Sequence, residues 1–482
     1  MNNADLCYLT ATEALAQFAA RTLSPVELLA ALIERSAGVE TGINCFADTY
    51  FDEALSQARS AEARYQAGNA RPLEGIALAV KDAQRVKGKR TTHGSLIFMD
   101  APPDDHSDPM IARLEAAGAI IFARTTTPEF CLSGVCHSRA WGMTRNPWNL
   151  AYGPGGSSGG SGAALAAGLA TLATGTDIGG SIRIPASACG VVGFKPPHGR
   201  NPDGAPAAFD RFNHCGPLTR SVADAALMQT ITAGPHPRDH DSLRDPPALP
   251  MTAASIKGMR IALSLDFGYE PLDPDVCANT LAAAEVFHKL GAIVEEVDLG
   301  WTRAVDEAAV HWYNAMDFGR QTVFWKKTHS AVMTDYALKM AGAMEHHTSI
   351  GDVQKPWAML HQMYQTLGPV LARNDVLICP TLNLPAVKAD HDPWDLNFTV
   401  AGVKADPEFG WVMTHHFNML HNCPVISVPS GFAANGVPTG LQIVGRTFDD
   451  ATVFKAALAY EEALGGWYRT AALPVTALPK SL

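Results

Sequence analysis

The sequence has no run of about 18 uncharged apolar residues, which excludes a helix predicted to span a membrane. Basic residues are scarce: 37 Lys and Arg stand against 48 Asp and Glu, giving a formal charge of −11. That deficit excludes the clustered cationic face that nucleic acid or an anionic membrane would need. The nine cysteines are an odd number, scattered through a chain too long to need covalent staples. A disulfide framework is therefore excluded and reduced thiols are expected. The start of the chain lacks a basic stretch followed by an apolar one, and Asp5 and Glu13 interrupt it, so no secretory signal is expected and a cytoplasmic location is the default. The expected partner is a small molecule.

What is present supports a large core, since 47% of the 482 residues are hydrophobic. Ser24-Pro25-Val26-Glu27 offers an N-cap, a proline at the first helical position and a capping-box glutamate ahead of Leu28, Leu29 and Leu32, and it predicts a helix. Ile76 to Val80 suits a buried strand ending at Lys81-Asp82, which puts the lysine at a strand end. Pro109 to Gly118 followed by Ala119 to Ala123, and Asp275 to Gly291 followed by Ala292 to Val297, each read as a glycine-closed helix leading into a strand. The alternation predicts an α/β fold, one large mixed sheet with helices on both faces. Length alone suggests two or three domains, but no repeat or low-complexity linker divides the chain. One domain over residues 1–482 is expected, with core motifs in 75–200 and a variable pocket or lid region at about 300–420.

That variable region is compositionally distinct. Between Trp301 and His421 fall six of the nine Trp, nine of the seventeen His and eight of the fifteen Met. Large, adaptable side chains suit a pocket wall, and Trp312, Trp325, Trp357, Trp394, Trp411 and Phe417 are its candidates. The competing explanation is a helical core insert, because Trp and Met are more often core than binding surface.

Two glycine-serine segments carry the chemistry. Gly153 to Gly162 runs into the small-residue stretch Ala163 to Ala170, and Gly175 to Ser181 forms a second glycine-rich turn. A flexible linker would not be followed by a second such turn. A phosphate loop needs Gly-Lys-Ser/Thr at its end, and a dinucleotide fingerprint needs glycine where Ser158 stands. Gly156-Ser157-Ser158-Gly159-Gly160 fits a nucleophile elbow on Ser158, but then the second serine turn has no role.

Taken together, Lys81-Asp82, Ser157-Ser158 and Gly175-Thr-Asp-Ile-Gly-Gly-Ser181-Ile-Arg-Ile-Pro185 resemble the amidase signature family. Ser157 and Ser181 lie 24 residues apart, as the family's bridging and nucleophilic serines do. Arg145-Asn-Pro-Trp148, Gly193-Phe-Lys-Pro196 and Pro424-Val-Ile-Ser-Val-Pro429 agree as well, so the resemblance covers nearly the whole chain. Two departures stand out: Ala77 where the family often has proline, and Arg124-Thr-Thr126 for a common Lys-Thr-Asn.

The resemblance implies a Ser-Ser-Lys triad: Ser181 as nucleophile, Ser157, after a cis peptide, as proton bridge, and Lys81 as base. It also implies an oxyanion hole from the backbone of Ile178, Gly179 and Gly180, with Ser158, Asp177 and Arg183 as supports. A lysine can serve as base only if neutral, which burial favours, and Asp82 should point to the opposite side of its extended segment. His137, His214, Cys189 and Cys215 lie near these motifs without metal-like spacing, and no metal or cofactor is implied. The expected activity is hydrolysis of a carboxamide or anilide, with carbamates and esters sharing the same carbonyl geometry. The rival from another class is the glutamine-hydrolysing subunit of a tRNA-dependent amidotransferase; a non-catalytic binding module is a third. The oligomeric state stays open, a homodimer included.

Overall fold

The computed structural model describes residues 3–474 except 205, 316, 347, 348, 471 and 472. Among these, eleven strands form one sheet in the order Phe46–Thr49, Ile120–Thr125, Ala77–Lys81, Leu172–Asp177, His214–Thr219, Val192–Lys195, Val425–Phe432, Pro438–Gly445, Val376–Pro380, Arg260–Leu263 and Ile293–Glu296. The sheet is mixed. Ala77–Lys81 runs parallel to both its neighbours, whereas Val425–Phe432 and Pro438–Gly445 form an antiparallel pair.

Alternation along the strands shows why helices cover both faces, since successive side chains point to opposite sides. Val376, Ile378, Ile426, Val428 and Ile443 enter one core with the helices Val222–Thr232, Pro274–Lys289 and Asp450–Ala463. The intervening Leu377, Cys379, Val425 and Val444 enter another, with the helices Ala304–Ala315 and Ile350–Arg373. A third core joins the N-terminal helices to the strands around Ala77–Lys81.

The local expectations hold with small shifts. The helix Pro25–Ile43 starts at Ser24 with a complete capping box through Glu27. The small-residue stretch after the first glycine-serine run is helical, and its helix Gly159–Ala166 already begins within the run. A Cβ on Gly160 would sit 2.4 Å from the Thr126 amide, so glycine lets this turn lie against the end of a neighbouring strand. The described helices include none long and apolar enough to cross a membrane. All nine cysteines are free.

The parallel strands fix the place of the chemistry. Lys81 ends Ala77–Lys81 opposite Thr125, the last residue of the adjacent parallel strand, and Asp177 ends the strand on the other side. Ligands in open α/β sheets bind beyond such carboxyl ends.

Candidate active site

Lys81 brings a fully buried amine to this edge. Its Nζ donates to Ser157 Oγ at 2.7 Å and to Thr176 Oγ1 at 2.8 Å. Burial holds the amine below the usual lysine range, and the nearby thiols and Asp177 only partly oppose this. The neighbouring Asp82 is turned away. It accepts from the Thr92 amide at 2.9 Å, from the Thr92 hydroxyl and from Trp141 Nε1 at 3.1 Å, and Arg124 lies 3.5 Å from it. The residue that departs from the family's lysine thus balances the carboxylate beside the buried amine.

Ser157 follows a cis peptide bond with Gly156. Ser158, next in the chain, ties the two glycine-serine segments together: its amide donates to the Ser181 carbonyl at 3.2 Å and its hydroxyl to the Thr176 carbonyl at 3.3 Å. Ser181 lies in the turn between the strand Leu172–Asp177 and the helix Arg183–Cys189, almost buried, on the wall of a cavity.

The turn before Ser181 is held by its carbonyls. Tyr313 Oη donates to Ile178 at 3.0 Å, Thr414 Oγ1 to Gly179 at 2.6 Å, and the Ile184 amide to Gly180 at 2.7 Å. The amides of Ile178, Gly179, Gly180 and Ser181 make no hydrogen bond among the described residues and are free to face a developing oxyanion. Gly180 has φ +128°, and a Cβ there would meet Thr414 Oγ1 at 1.9 Å. The brace behind the turn by itself demands glycine at Gly180.

Asp177 and Arg183 form a fully buried, two-pronged pair, with Nε and Nη2 at 3.0 and 2.9 Å from the carboxylate. Burial alone would raise the Asp177 carboxyl, but the Arg183 charge and hydrogen bonds hold it well below the carboxylate range. Arg183 also donates to the Thr414 carbonyl at 2.9 Å, Gln442 Oε1 at 2.8 Å and Asn418 Oδ1 at 2.7 Å. His214 is structural, bridging the Asp177 and His421 carbonyls at 3.1 and 3.2 Å.

Two cavities meet at this centre. One, of about 240 Å³, is lined by Ser181, Tyr313, Met344, Trp394, Glu408 and Phe409 among others. The second, of about 300 Å³, is lined by Ser157, Thr176, His93, Asp203 and Trp325 among others. Ile178 and Cys131 belong to both. Burial raises Glu408 to about 7, while Ser133 Oγ and the Gly134 amide donate to its carboxyl at 2.7 and 2.8 Å.

The aromatic candidates divide. Trp394 and Trp325 line the two cavities. Trp312, Trp411 and Phe417 do not, and the expectation for them is corrected. Trp312 stacks on Phe212 at 4.2 Å and donates to Asp210 at 2.8 Å; Trp411 is fully buried against Gly134, and Phe417 packs with Phe267 and Trp301. Trp357 likewise packs on Phe212 and Trp312. Sequence reading missed Thr176, Thr414, Asn418 and Tyr313. Thr176 sits inside a recognised motif and Asn418 in the His416-Phe417-Asn418 segment, but Thr414 and Tyr313 come from distant segments with no motif to announce them.

The Amidase family model matches residues 27–454. An acylamidase of Rhodococcus erythropolis is 34% identical over 468 residues, 96% of each chain. A glutamyl-tRNA(Gln) amidotransferase subunit of Geobacter metallireducens is also 34% identical, over 92% of this chain and 94% of its own. Among solved structures, a bacterial aryl acylamidase of the amidase signature family superposes with a TM-score of 0.88 at 29% identity, covering 95% of this chain and 96% of its own.

Proposed function

The chain belongs to the amidase signature family, and on that premise we propose that it is a free-standing amidase that cleaves aryl or other apolar carboxamides and anilides through an acyl-enzyme on Ser181. Lys81, whose burial favours the neutral amine, takes the Ser157 proton as Ser157 takes that of Ser181, and the freed Ser181 oxygen attacks the carbonyl. The amides of Ile178 to Ser181 receive the oxyanion, an effect worth about 2.7–4 kcal/mol per donor. The same relay, run in reverse, protonates the departing amine. Water then hydrolyses the acyl-enzyme. Carbamates and esters present a similar carbonyl and are expected side substrates.

The observation that carries this reading is the make-up of the cavity at Ser181. Its ionisable lining residues other than Cys131 and Tyr313 are the acids Asp406 and Glu408, and it offers no Lys, Arg or His. Free glutamine would need a cation for its α-carboxylate, so the wall favours an apolar acyl or aryl group. The amidotransferase reading rests on the equal 34% identity to the Geobacter metallireducens protein. Assaying the purified chain alone on anilides, aliphatic amides, carbamates, esters and glutamine, with Ser181→Ala as blank, separates the two. Anilide turnover exceeding glutaminase is expected; glutamine as best substrate, or activity only with a partner, would overturn the proposal.

A further inference from the structure

Three segments outside the proposed relay converge on Asp306, in the first turn of the helix Ala304–Ala315. His415 Nε2 lies 2.8 Å from Asp306 Oδ1, and Tyr269 Oη lies 2.7 Å from the same oxygen. Tyr269 Oη is also 2.7 Å from His416 Nε2, which stands 3.9 Å from Asp306 Oδ1. One ligand atom from each of Asp306, His415 and His416 falls within 4.8 Å of the others. No linear spacing announces this cluster, because the adjacent His415 and His416 lie far along the chain from Asp306 and Tyr269.

The arrangement is built rather than incidental. Both imidazoles are fully buried, and Trp301 stacks on His416 at 5.5 Å with 9° between planes while the two imidazoles lie 4.2 Å apart. Their orientation is therefore fixed by packing. Glu270, beside Tyr269 and close enough to feel the Asp306 charge, is 7% exposed, and its Oε1 has no hydrogen-bond partner among the described residues. Its other oxygen accepts from Asn383 at 3.2 Å. A second carboxyl thus stands beside the cluster with an unused buried oxygen; burial and the Asp306 charge raise it to about 8, so a cation at the cluster would favour its ionised form. The Asp306 side chain is 25% exposed and provides the way in.

We propose that Asp306, His415 and His416 bind one divalent ion of the zinc type, with Tyr269 or water as fourth ligand and Glu270 as neighbouring counter-charge. Two imidazoles and a carboxylate suit zinc or cobalt better than calcium or magnesium, which prefer all-oxygen sites. Bonds near 2.0–2.2 Å require His415 and Asp306 to part by about half an ångström and His416, now 3.9 Å from Asp306 Oδ1, to close in on the shared ion. Thr414, next to His415, braces Gly179, so the ion would stiffen the segment behind the oxyanion turn.

The test needs no substrate. Chelator-treated, desalted full-length protein is titrated with CoCl₂ and then challenged with ZnCl₂. One cobalt per chain with the visible absorption of a four-coordinate ion, displaced by zinc, is expected. Asp306→Asn and His415→Gln should each weaken binding on the order of 100-fold, while His240→Gln, on an exposed histidine, should not. If a variant fails to fold, X-ray absorption of the zinc-loaded wild type decides: nitrogen and oxygen ligands with two imidazoles support the site. No visible band, binding unchanged in the variants, or sulfur ligation by one of the free thiols would overturn it.

Discussion

Lys81 donates to two hydroxyls and to no carboxylate among the described residues, and burial outweighs the pull of the Cys131 and Cys136 thiols and of Asp177 toward the charged amine. With its pKa lowered by burial, the neutral form appears at a lower pH than for an exposed lysine. Turnover should therefore rise as pH climbs through that depressed value and stay high in alkali; a rate falling to nothing above neutrality with the fold intact would contradict the relay. Ser181→Ala should cost on the order of 10,000-fold in kcat while leaving the circular dichroism unchanged. Lys81→Ala and Ser157→Ala should be nearly as severe, and the double variant little worse, because members of one relay are not additive. The sequence offered these three candidates because the two serines stand in glycine-rich turns at a fixed offset and the lysine at the end of a recognisable buried strand. It did not mark Thr414 and Asn418 as braces, since hundreds of residues separate them from the turn they brace, and only the closed sheet brings them there.

Among the elements, the helix Ala304–Ala315 shows what composition alone conceals. Val305, Ala308, Ala309 and Trp312 are buried at the i, i+3, i+4, i+7 spacing of one stripe, whereas Val310, Tyr313 and Asn314 line the Ser181 cavity from the other side. Counting tryptophans marked the region, but the helical period, already readable in the sequence, assigns Trp312 to the core. Trp312→Ala should cost about 3–5 kcal/mol of stability and leave substrate preference alone. Trp394→Ala should instead lower the ratio of aryl-amide to acetamide kcat/KM by roughly tenfold to a hundredfold with little change in melting temperature. Equal ratios in the two variants would remove Trp394 from the pocket.

At the scale of the molecule, Arg183 links the strand ending at Asp177 to Gln442 on Pro438–Gly445 and to the 414–418 segment. Asp177→Asn leaves a buried guanidinium undercompensated and should lower stability by about 3–5 kcal/mol, read as a falling denaturation midpoint. Because the folded-state Asp177 pKa is depressed, the stability this carboxylate contributes is present above the ordinary aspartate value of about 3.9 and is lost as pH falls below it. Asp177→Asn should therefore flatten acid denaturation in that window. The mixed sheet with two helical faces was legible from helix-glycine-strand alternation. The strand order was not, because pairing across the centre of the sheet joins segments such as Val192–Lys195 and Val425–Phe432 that no local pattern connects.

The two cavities sharing Ile178 and Cys131 give the centre two doors. On the proposed mechanism, an acyl group seated on the Ser181 side need not vacate before a second nucleophile arrives from the Ser157 side, which would make the acyl-enzyme a branch point between hydrolysis and transfer. Hydroxylamine added during turnover should divert part of the flux to hydroxamate, at a rate tracking its concentration. Trp325→Ala, which widens the Ser157 entrance, should raise that partition ratio while leaving selection of the acyl group unchanged.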